Sequence, residues 1–357
     1  MVAVYAGTPS MIPGGGLAPL ASPAVPAPCA EVEPERWDRT LRAAGVTDVY
    51  YSRAFVEASA VLAGAEPVLL RHSGAGGDVF LAALLRPDPP DVVTPYGYGG
   101  PVGAGDDPPL AGFPGAYEAW CRQRRVVASF VVFHPLLRNA ESAAASGFHR
   151  VALAGTVAWP LGGGADHLLS AMHKHHRRLV RRARAGGCEV AIERSPADLD
   201  EFVAVYEATM RRAGASPFYV FPRPYWDALR AAVPLVRADV RRAGELLASV
   251  LGMGEPPWLH YHLGGATDAA RGTGASHLAL YALAGWGREH GFTTLHLGGG
   301  VGGRDDSLLQ FKLRFAPGGL LPSAIGKAVH DRAAYLRLAG ADEIDWHGFF
   351  PAYREPR

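Results

Sequence analysis

A glycine-rich segment followed by a lysine is the part of this sequence best suited to chemistry. Residues 298–303 contain five glycines, an Asp-Asp-Ser helix start follows, and Phe311 and Lys312 lie on the helix that this pattern predicts. The chain has three lysines against 32 arginines, and an ammonium is a compact point charge whereas a guanidinium is a planar fork. Because ligands of α/β proteins bind at strand ends, Lys312 is expected to project towards a bound ligand.

A strongly basic segment is the second feature. Helical spacing over 166–184 predicts one long helix with an apolar core face. Its other positions carry six cations: Lys174, Arg177, Arg178, Arg181, Arg182 and Arg184. Like charges on neighbouring turns repel each other, and a polyanionic partner relieves that repulsion. The segment therefore predicts a phosphate-binding face, and a solvated face that pairs with acidic residues elsewhere is the alternative.

Two weaker motifs concern anions and metals. Residues 271–276 form a glycine-rich turn directly before a predicted helix, where backbone N–H groups bind anions, although an ordinary turn explains it as well. His260 and His262 lie on one face of a predicted strand and His296 on a neighbouring strand, so a three-histidine metal site is conceivable. No carboxylate has matching spacing. Hydrogen-bonded histidines are therefore the preferred interpretation, and no metal is expected.

Composition limits the class of protein that carries these groups. The 357 residues are 48% apolar and 19% charged, which is typical of a globular chain of one or two domains. The net charge of +1 excludes a general polyanion binder, so any nucleic-acid contact must be a local patch. Three cysteines without a CxxC pair exclude a disulfide scaffold and a cysteine zinc finger, and fit the cytoplasm.

Hydrophobic periodicity divides the chain into mixed α/β units. We expect a disordered leader rich in Pro, Gly and Ala (1–30), a first domain (31–150), a second domain (151–322) and a C-terminal tail (323–357). The tail is expected to form a helix near 325–338 and to pack back on the first domain. Ser52 is expected to cap a helix that reaches Leu62, and strands over 66–71 and 79–86 are expected to form a hairpin around the Gly74–Gly77 turn. No apolar run is long enough to span a membrane, and we expect a monomer.

Taken together, several motifs resemble the Fem family, the peptidyl transferases of the GNAT superfamily. The resemblance spans roughly residues 45–340, and these segments carry it: Tyr50–Ser52, Thr94–Pro101, Phe133–Leu137, His175–Arg178, His260–Gly265, Leu295–Gly300 and Phe311–Phe315. It implies an α/β fold of two tandem GNAT-like domains, each a mixed sheet flanked by helices, with a ligand channel between them.

The resemblance also implies an activity, the transfer of an amino acid from aminoacyl-tRNA to an amine without a further cofactor. The family's Phe-Lys pair falls on Phe311 and Lys312, with the lysine near the reacting ester, so the resemblance implies that Lys312 is the catalytic residue. Candidate contacts to charged tRNA are Lys174, Arg177, Arg178, Arg181, Arg182, Arg304 and Phe311. Candidate contacts to a small amine or peptide acceptor are Tyr51, Arg53, Tyr96, Tyr98, Tyr219 and Tyr261, although core tyrosines are the alternative. A peptidoglycan precursor and an antibiotic intermediate are both reasonable acceptors.

Two other functions stay open at this point. Acyl-CoA-dependent GNAT enzymes carry an [Arg/Gln]xxGx[Gly/Ala] pyrophosphate loop, and residues 271–276 match its first four positions but end in Ser276. An acyl-CoA N-acyltransferase is therefore one alternative, and a catalytically silent RNA- or peptide-binding module is another.

An aminoacyl ester is already activated, so an aminoacyl transferase must align the amine, stabilise the oxyanion and release the adenosine hydroxyl. The sequence shows no obvious general base.

Overall fold

A computed structural model describes residues 27–355 of the chain. The first half of this part contains six strands and three helices. The strands are β1 (Ala30–Glu31), β2 (Glu66–Gly74), β3 (Gly76–Arg86), β4 (Asp91–Val93), β5 (Val102–Asp107) and β6 (Ala128–Val132). The helices are α1 (Trp37–Ala43), α2 (Arg53–Ala63) and α3 (Phe113–Gln123).

The second half, from His149 onward, contains seven strands and seven helices among the described residues. The strands are β7 (His149–Pro160), β8 (Glu189–Arg194), β9 (Leu235–Arg242), β10 (Glu245–Met253), β11 (Trp258–Ala266), β12 (Thr294–Gly299) and β13 (Leu320–Val329). The helices are α4 (Ala165–Ala171), α5 (Lys174–Ala185), α6 (Asp200–Arg212), α7 (Arg223–Ala232), α8 (Ala275–Glu289), α9 (Ser307–Leu313) and α10 (Arg332–Ala339).

All thirteen strands join one mixed sheet, in the order β1-β2-β3-β4-β6-β13-β7-β12-β11-β10-β9-β8, with β5 paired to β3. Each half contains one parallel pair, β4 with β6 and β11 with β12, and the remaining pairs are antiparallel. A helix lies between the two strands of each parallel pair in the chain, α3 in the first half and α8 in the second. Strand β13 connects the halves at the centre of the sheet, because it pairs with β6 of the first half on one side and with β7 on the other.

The two halves share a hydrophobic core. Phe55 of α2 and Phe80 of β3 are buried in the same cluster as Tyr206 of α6 and Trp226 of α7. Two further cores lie within the individual halves. Burial of large aromatic side chains contributes about 1.5–3 kcal/mol each, so this shared core holds the halves together. Residues from both halves therefore meet at defined positions.

Local signals in the sequence are confirmed in the first half. The helix predicted from Ser52 is α2, and the Ser52 hydroxyl accepts a hydrogen bond from the Phe55 backbone N–H. The predicted hairpin is the β2–β3 pair, which turns at Gly74–Gly77. The domain boundaries at 150 and 322 stay predictions.

Two predicted helices are wrong in part. The helix expected over 166–184 is broken into α4 and α5, because Met172 and His173 are extended and the His173 ring caps α5 by accepting the His175 N–H. The helix expected over 325–338 begins only at Arg332. Residues before it complete β13, which fills the sheet between β6 and β7.

The predicted leader lies largely outside the described residues, since its first 26 residues precede them. Its last residues are ordered, because Cys29 is buried and Ala30 begins β1. None of the helices between residues 27 and 355 combines the length and the apolar composition that crossing a membrane requires.

Candidate active site

Lys312 lies at the junction of β12, the glycine loop and α9. The Asp306 side chain caps α9 by accepting the backbone N–H groups of Leu308 and Leu309, and it also accepts that of Val301 in the loop. This cap fixes the helix against the loop that precedes it. Lys312 is buried on α9 and its Nζ donates to the Gly299 carbonyl oxygen at 2.6 Å. The helix start predicted at the Asp-Asp-Ser segment and the lysine predicted on that helix thus lie in one local structure formed by the glycine loop and α9.

Burial changes the acid–base behaviour of this lysine. Removal from water lowers the Lys312 pKa from 10.5 to about 8, and the nearby Asp306 carboxylate opposes that shift. The ammonium also lies 5.7 Å from the centroid of the Tyr261 ring. At neutral pH the group is charged but poorly solvated, which suits a cation that must stabilise a developing oxyanion.

Gly298 keeps open the space beside this ammonium. Its φ is +75°, and a Cβ at this position would lie 3.3 Å from the Tyr98 hydroxyl and 3.4 Å from Lys312 Nζ. Tyr98 comes from the first half of the chain and Lys312 from the second. The two polar groups therefore converge from opposite halves on one small volume above the end of β12.

The tyrosines predicted on the acceptor side fall into two groups. Tyr98 and Tyr261 are next to Lys312, as described above. Tyr96 and Tyr219 lie further out: the Tyr96 ring is 6.0 Å from that of Phe218, next to Tyr219, and the charges of Arg304 and Asp306 act on the Tyr219 hydroxyl. Burial raises the pKa of Tyr261 to about 12, so it is a neutral phenol at physiological pH.

The contacts of Tyr51 and Arg53 place both residues away from Lys312. Tyr51 is fully buried, and its hydroxyl donates to the Gly100 carbonyl and accepts from the Asn139 side chain. Arg53 forms a surface ion pair with Glu57 one turn along α2. Both contacts are internal to the first half, so the structure does not bring these two residues together with the Lys312 group.

Helix α5 presents the predicted basic face to solvent. Lys174, Arg178, Arg181 and Arg182 are exposed. Within residues 27–355 no ion pair joins the cations of α5 to a carboxylate. Arg177 is used differently, since its guanidinium donates to the carbonyls of Ser170 and Met172 and stabilises the break before α5.

The basic helix is fixed against α9 by a buried histidine that sequence reasoning did not single out. The His176 ring nitrogen Nε2 lies 3.0 Å from the Phe311 carbonyl oxygen, and its ring packs 5.2 Å from that of Phe311. Burial lowers the His176 pKa to about 3, so the ring is neutral and donates this hydrogen bond. His277 closes the same aromatic cluster. Arg304 is exposed on the glycine loop.

A second buried polar group lies across the two halves. Asp48 Oδ2 is 2.8 Å from His260 Nε2, and Asp48 Oδ1 is 3.3 Å from His134 Nε2. His260 Nδ1 is 3.3 Å from His296 Nδ1. His262 does not join them, because its Nε2 bonds to the Tyr225 hydroxyl at 2.7 Å. The three histidines considered as metal ligands are therefore not assembled as one site.

Asp48, His134 and His260 are close enough together for a cation to be considered. The Leu137 backbone N–H donates to His134 Nδ1 at 3.3 Å, which requires a lone pair on that nitrogen. The proton of neutral His134 is therefore on Nε2, the atom that faces Asp48. A metal ligand needs the opposite tautomer, with Nδ1 donating outward. The tautomer of His134 therefore does not suit a metal centre. Asp48 and His260 are joined by a hydrogen bond, whereas His134 Nε2 lies near Asp48 without forming one among the described residues.

The glycine-rich turn at 271–276 is covered by α5 at Gly274, whereas Arg271 and Gly272 are exposed. Gly274 has a φ of +87°, and a Cβ there would lie 2.3 Å from the Leu179 carbonyl oxygen of α5. Arg271 is exposed and pairs with Asp268. Helix α5 therefore crosses directly over the start of α8, where a pyrophosphate would have to approach.

Comparison with known proteins agrees with this architecture. Residues 170–307 match the family model of an acetyltransferase (GNAT) domain. No curated protein matches the chain. FemX has a similar structure, with a TM-score of 0.62 and 14% sequence identity over 87% of this chain and 99% of FemX.

Two further solved structures are similar. The C-terminal domain of a putative lysylphosphatidylglycerol synthetase from Agrobacterium fabrum has a TM-score of 0.54 at 16% identity, over 84% of this chain and 92% of that domain. A tandem GNAT protein from the clavulanic acid biosynthesis pathway has a TM-score of 0.50 at 13% identity, over 85% and 98%. The predicted α/β fold and acyltransferase class are confirmed. The fold is that of two tandem GNAT-like domains, similar to the fold of FemX and of the tandem GNAT protein, and the match to the acetyltransferase (GNAT) domain model lies in the second half.

Proposed function

We propose that this protein transfers an amino acid from aminoacyl-tRNA to an amine and so forms an amide bond. The observation that carries the proposal is the position of Lys312. A buried ammonium stands at the end of a glycine loop, on a helix that is joined through His176 to an exposed basic helix. One arrangement thus provides a cation for the ester and a neighbouring surface for phosphates.

The basic face of α5 supports RNA as the donor. In the part of the chain that the structure describes, no carboxylate forms an ion pair with its exposed cations, which is the arrangement expected of a phosphate-binding surface and not of a surface paired within the fold. Phe311 links this surface to the site, because its ring packs on His176 while the next residue carries the ammonium. The acceptor end of a tRNA that lies along α5 would therefore end beside Lys312.

The reaction requires the protein to position the ester and the amine and to supply a positive charge. A lysine ammonium has three donors, and Lys312 uses one on the Gly299 carbonyl oxygen. The other two can stabilise the oxyanion that forms when an amine attacks the ester, and assist departure of the ribose oxygen. Tyr98 and Tyr261 surround this point with neutral phenols, which suits recognition of an uncharged amine and its carbon chain.

The acyl-CoA alternative is less well supported by the geometry. The GNAT family match and the turn at 271–276 favour it, but α5 occupies the approach to that turn, as the Gly274–Leu179 contact indicates. The acceptor remains a small amine or peptide, such as a peptidoglycan precursor or an antibiotic intermediate. Among similar structures, one is named as a putative lysylphosphatidylglycerol synthetase and one for the clavulanic acid biosynthesis pathway, so lipid and small-molecule acceptors both belong in the test.

The proposal is tested with purified protein, a mixture of radiolabelled aminoacyl-tRNAs and a cell extract as the source of acceptor. Transfer converts an alkali-labile ester label into an alkali-stable amide label, and prior RNase treatment abolishes it. Full activity after RNase, together with release of free coenzyme A from acyl-CoA, would establish the alternative.

Lys312→Met should lose turnover and keep RNA binding, whereas Lys327→Met serves as the control. Lys327 is also buried, but it donates to the Trp346 and Gly348 carbonyls far from this site.

A further inference from the structure

A continuous polar path crosses the interior from the first half of the chain to the second. It begins at the Asp48 carboxylate, continues through the His260 ring at 2.8 Å and reaches the His296 ring at 3.3 Å. The three side chains are at most 3% exposed. Buried polar groups of this kind are costly unless they are mutually satisfied, so the direction of each hydrogen bond is constrained.

These directions can be worked out from the partners. A carboxylate only accepts hydrogen bonds, so His260 Nε2 carries a proton and donates it to Asp48. With the His260 ring in its neutral form, Nδ1 has a lone pair and accepts from Nδ1–H of His296. The remaining nitrogen, His296 Nε2, has a lone pair. It is buried and has no hydrogen-bond partner among the described residues.

The free nitrogen lies on the side of the His296 ring that faces away from His260. His296 is two residues before Gly298, next to which Lys312 Nζ and the Tyr98 hydroxyl converge, and its ring centroid is 5.0 Å from that of Tyr98. Lys312 is also close enough for its charge to act on the His296 ring. The path therefore ends beside the proposed site of amide formation.

We propose that His296 is the general base of the reaction, with Asp48 and His260 as positioning residues that relay its proton. His296 Nε2 removes a proton from the attacking amine as the C–N bond forms, and the Nδ1 proton of His296 moves to His260 Nδ1. The resulting His260 imidazolium is stabilised by the Asp48 carboxylate. The reverse transfer protonates the ribose oxygen as the C–O ester bond breaks, so no proton is gained or lost overall. This inference rests on the proposed function.

The surroundings hold each group in the required state. Burial, together with the charge of Lys312, holds the His296 pKa well below its usual range. Burial alone would raise the pKa of Asp48, but the hydrogen bond from His260 helps to hold it well below its usual range. The titratable groups that face this path are Asp48, Tyr50, Tyr98, His134, His260 and Lys312. Asp48 is the one carboxylate in this set, and it lies at the end of the path that is remote from Lys312.

The first test is independent of activity. Long-range ¹H–¹⁵N spectra of ¹⁵N-histidine-labelled protein report which nitrogen of each ring is protonated. We expect Nε2–H for His134 and His260 and Nδ1–H for His296 at pH 7.5. An Nε2–H tautomer or an imidazolium at His296 would overturn the relay, as would stoichiometric zinc in the purified protein that is lost in Asp48→Asn.

The second test follows single-turnover transfer from aminoacyl-tRNA across pH 6–9. His296→Gln should slow the chemical step about 100-fold with unchanged RNA affinity, since general-base catalysis contributes about 10²–10⁴ in rate. Asp48→Asn should slow it less and move the lower limb of the pH profile. His330→Gln is the control, because His330 is a buried histidine held by Ser129 and Glu118 outside this path. Wild-type-like rates in His296→Gln would refute the relay. No transfer by the wild type would refute the proposed function, and the tautomers would then still decide the protonation pattern.

Discussion

Replacement of Lys312 by methionine offers a prediction in which stability and activity change separately. Methionine retains the length and apolar stem of lysine but removes the ammonium and its hydrogen bond to the Gly299 carbonyl. We expect single-turnover transfer to fall about 10²–10³-fold, the usual loss when one oxyanion-stabilising donor is removed. RNA affinity should be retained, because the exposed cations of α5 are unchanged.

The effect on stability follows from the lysine pKa. The folded value of about 8 lies below the ordinary value of 10.5, so the unfolded chain binds more protons between these limits. Stability therefore rises with pH through this window. From pH 7 to pH 9.5 the contribution of this one lysine to the free energy of unfolding is about 2 kcal/mol, at about 1.36 kcal/mol per pKa unit.

Urea unfolding at several pH values between 7 and 9.5 measures this contribution. The difference in unfolding free energy between wild type and Lys312→Met should shift by about 2 kcal/mol across the range in favour of the wild type at high pH. Other titrating groups, including the buried tyrosines, cancel in that difference. Parallel pH dependences for the two proteins would refute the argument, because they would mean that Lys312 titrates as it does in water.

Three further predictions concern other parts of the site. Arg178→Ala with Arg181→Ala should weaken tRNA binding and reduce the slope of log affinity against log salt by about 2, which filter binding between 50 and 200 mM salt measures; an unchanged slope would make α5 a solvated face. Asp306→Ala should destabilise the protein by about 1–2 kcal/mol in urea unfolding through loss of the α9 cap, and slow transfer; an unchanged stability would contradict that cap. Burial lowers the pKa values of His262 and His277 to about 3 and 4, so the unfolded chain binds more protons than the folded chain below about pH 6.5. The free energy of unfolding should therefore fall by about 1–2 kcal/mol per histidine by pH 5. An unfolding free energy that does not change with pH in this range would contradict the burial of both histidines in the neutral form.

Local sequence signals were sufficient for much of the fold near the site. A serine cap, a glycine hairpin and an Asp-Ser helix start each depend on neighbouring residues, and they correctly placed α2, the β2–β3 pair and α9. The break at Met172–His173 could not be predicted in this way. It depends on Arg177 and on the Arg314 carbonyl oxygen, which accepts the His173 N–H from a distant segment.

The relay of Asp48, His260 and His296 also depends on contacts between residues that are distant in the sequence. Asp48 and His260 are 212 positions apart, and His296 is a further 36 positions along the chain. Each belongs to or adjoins a motif that marked the Fem resemblance. The strand pattern already placed His260 and His296 on neighbouring strands, and they are register partners of β11 and β12, but no spacing rule indicates that Asp48 meets them. The contact with Asp48 depends on the packing of the two halves on a shared core, which is a tertiary property.

The most direct test of the account is a structure of the protein bound to an acceptor-stem RNA that carries a non-hydrolysable aminoacyl group. We predict that Lys312 Nζ lies within about 3 Å of the oxygen that replaces the ester carbonyl, with phosphates along the exposed cations of α5. An aminoacyl group bound away from Lys312, or an RNA backbone that avoids α5, would contradict the central claim.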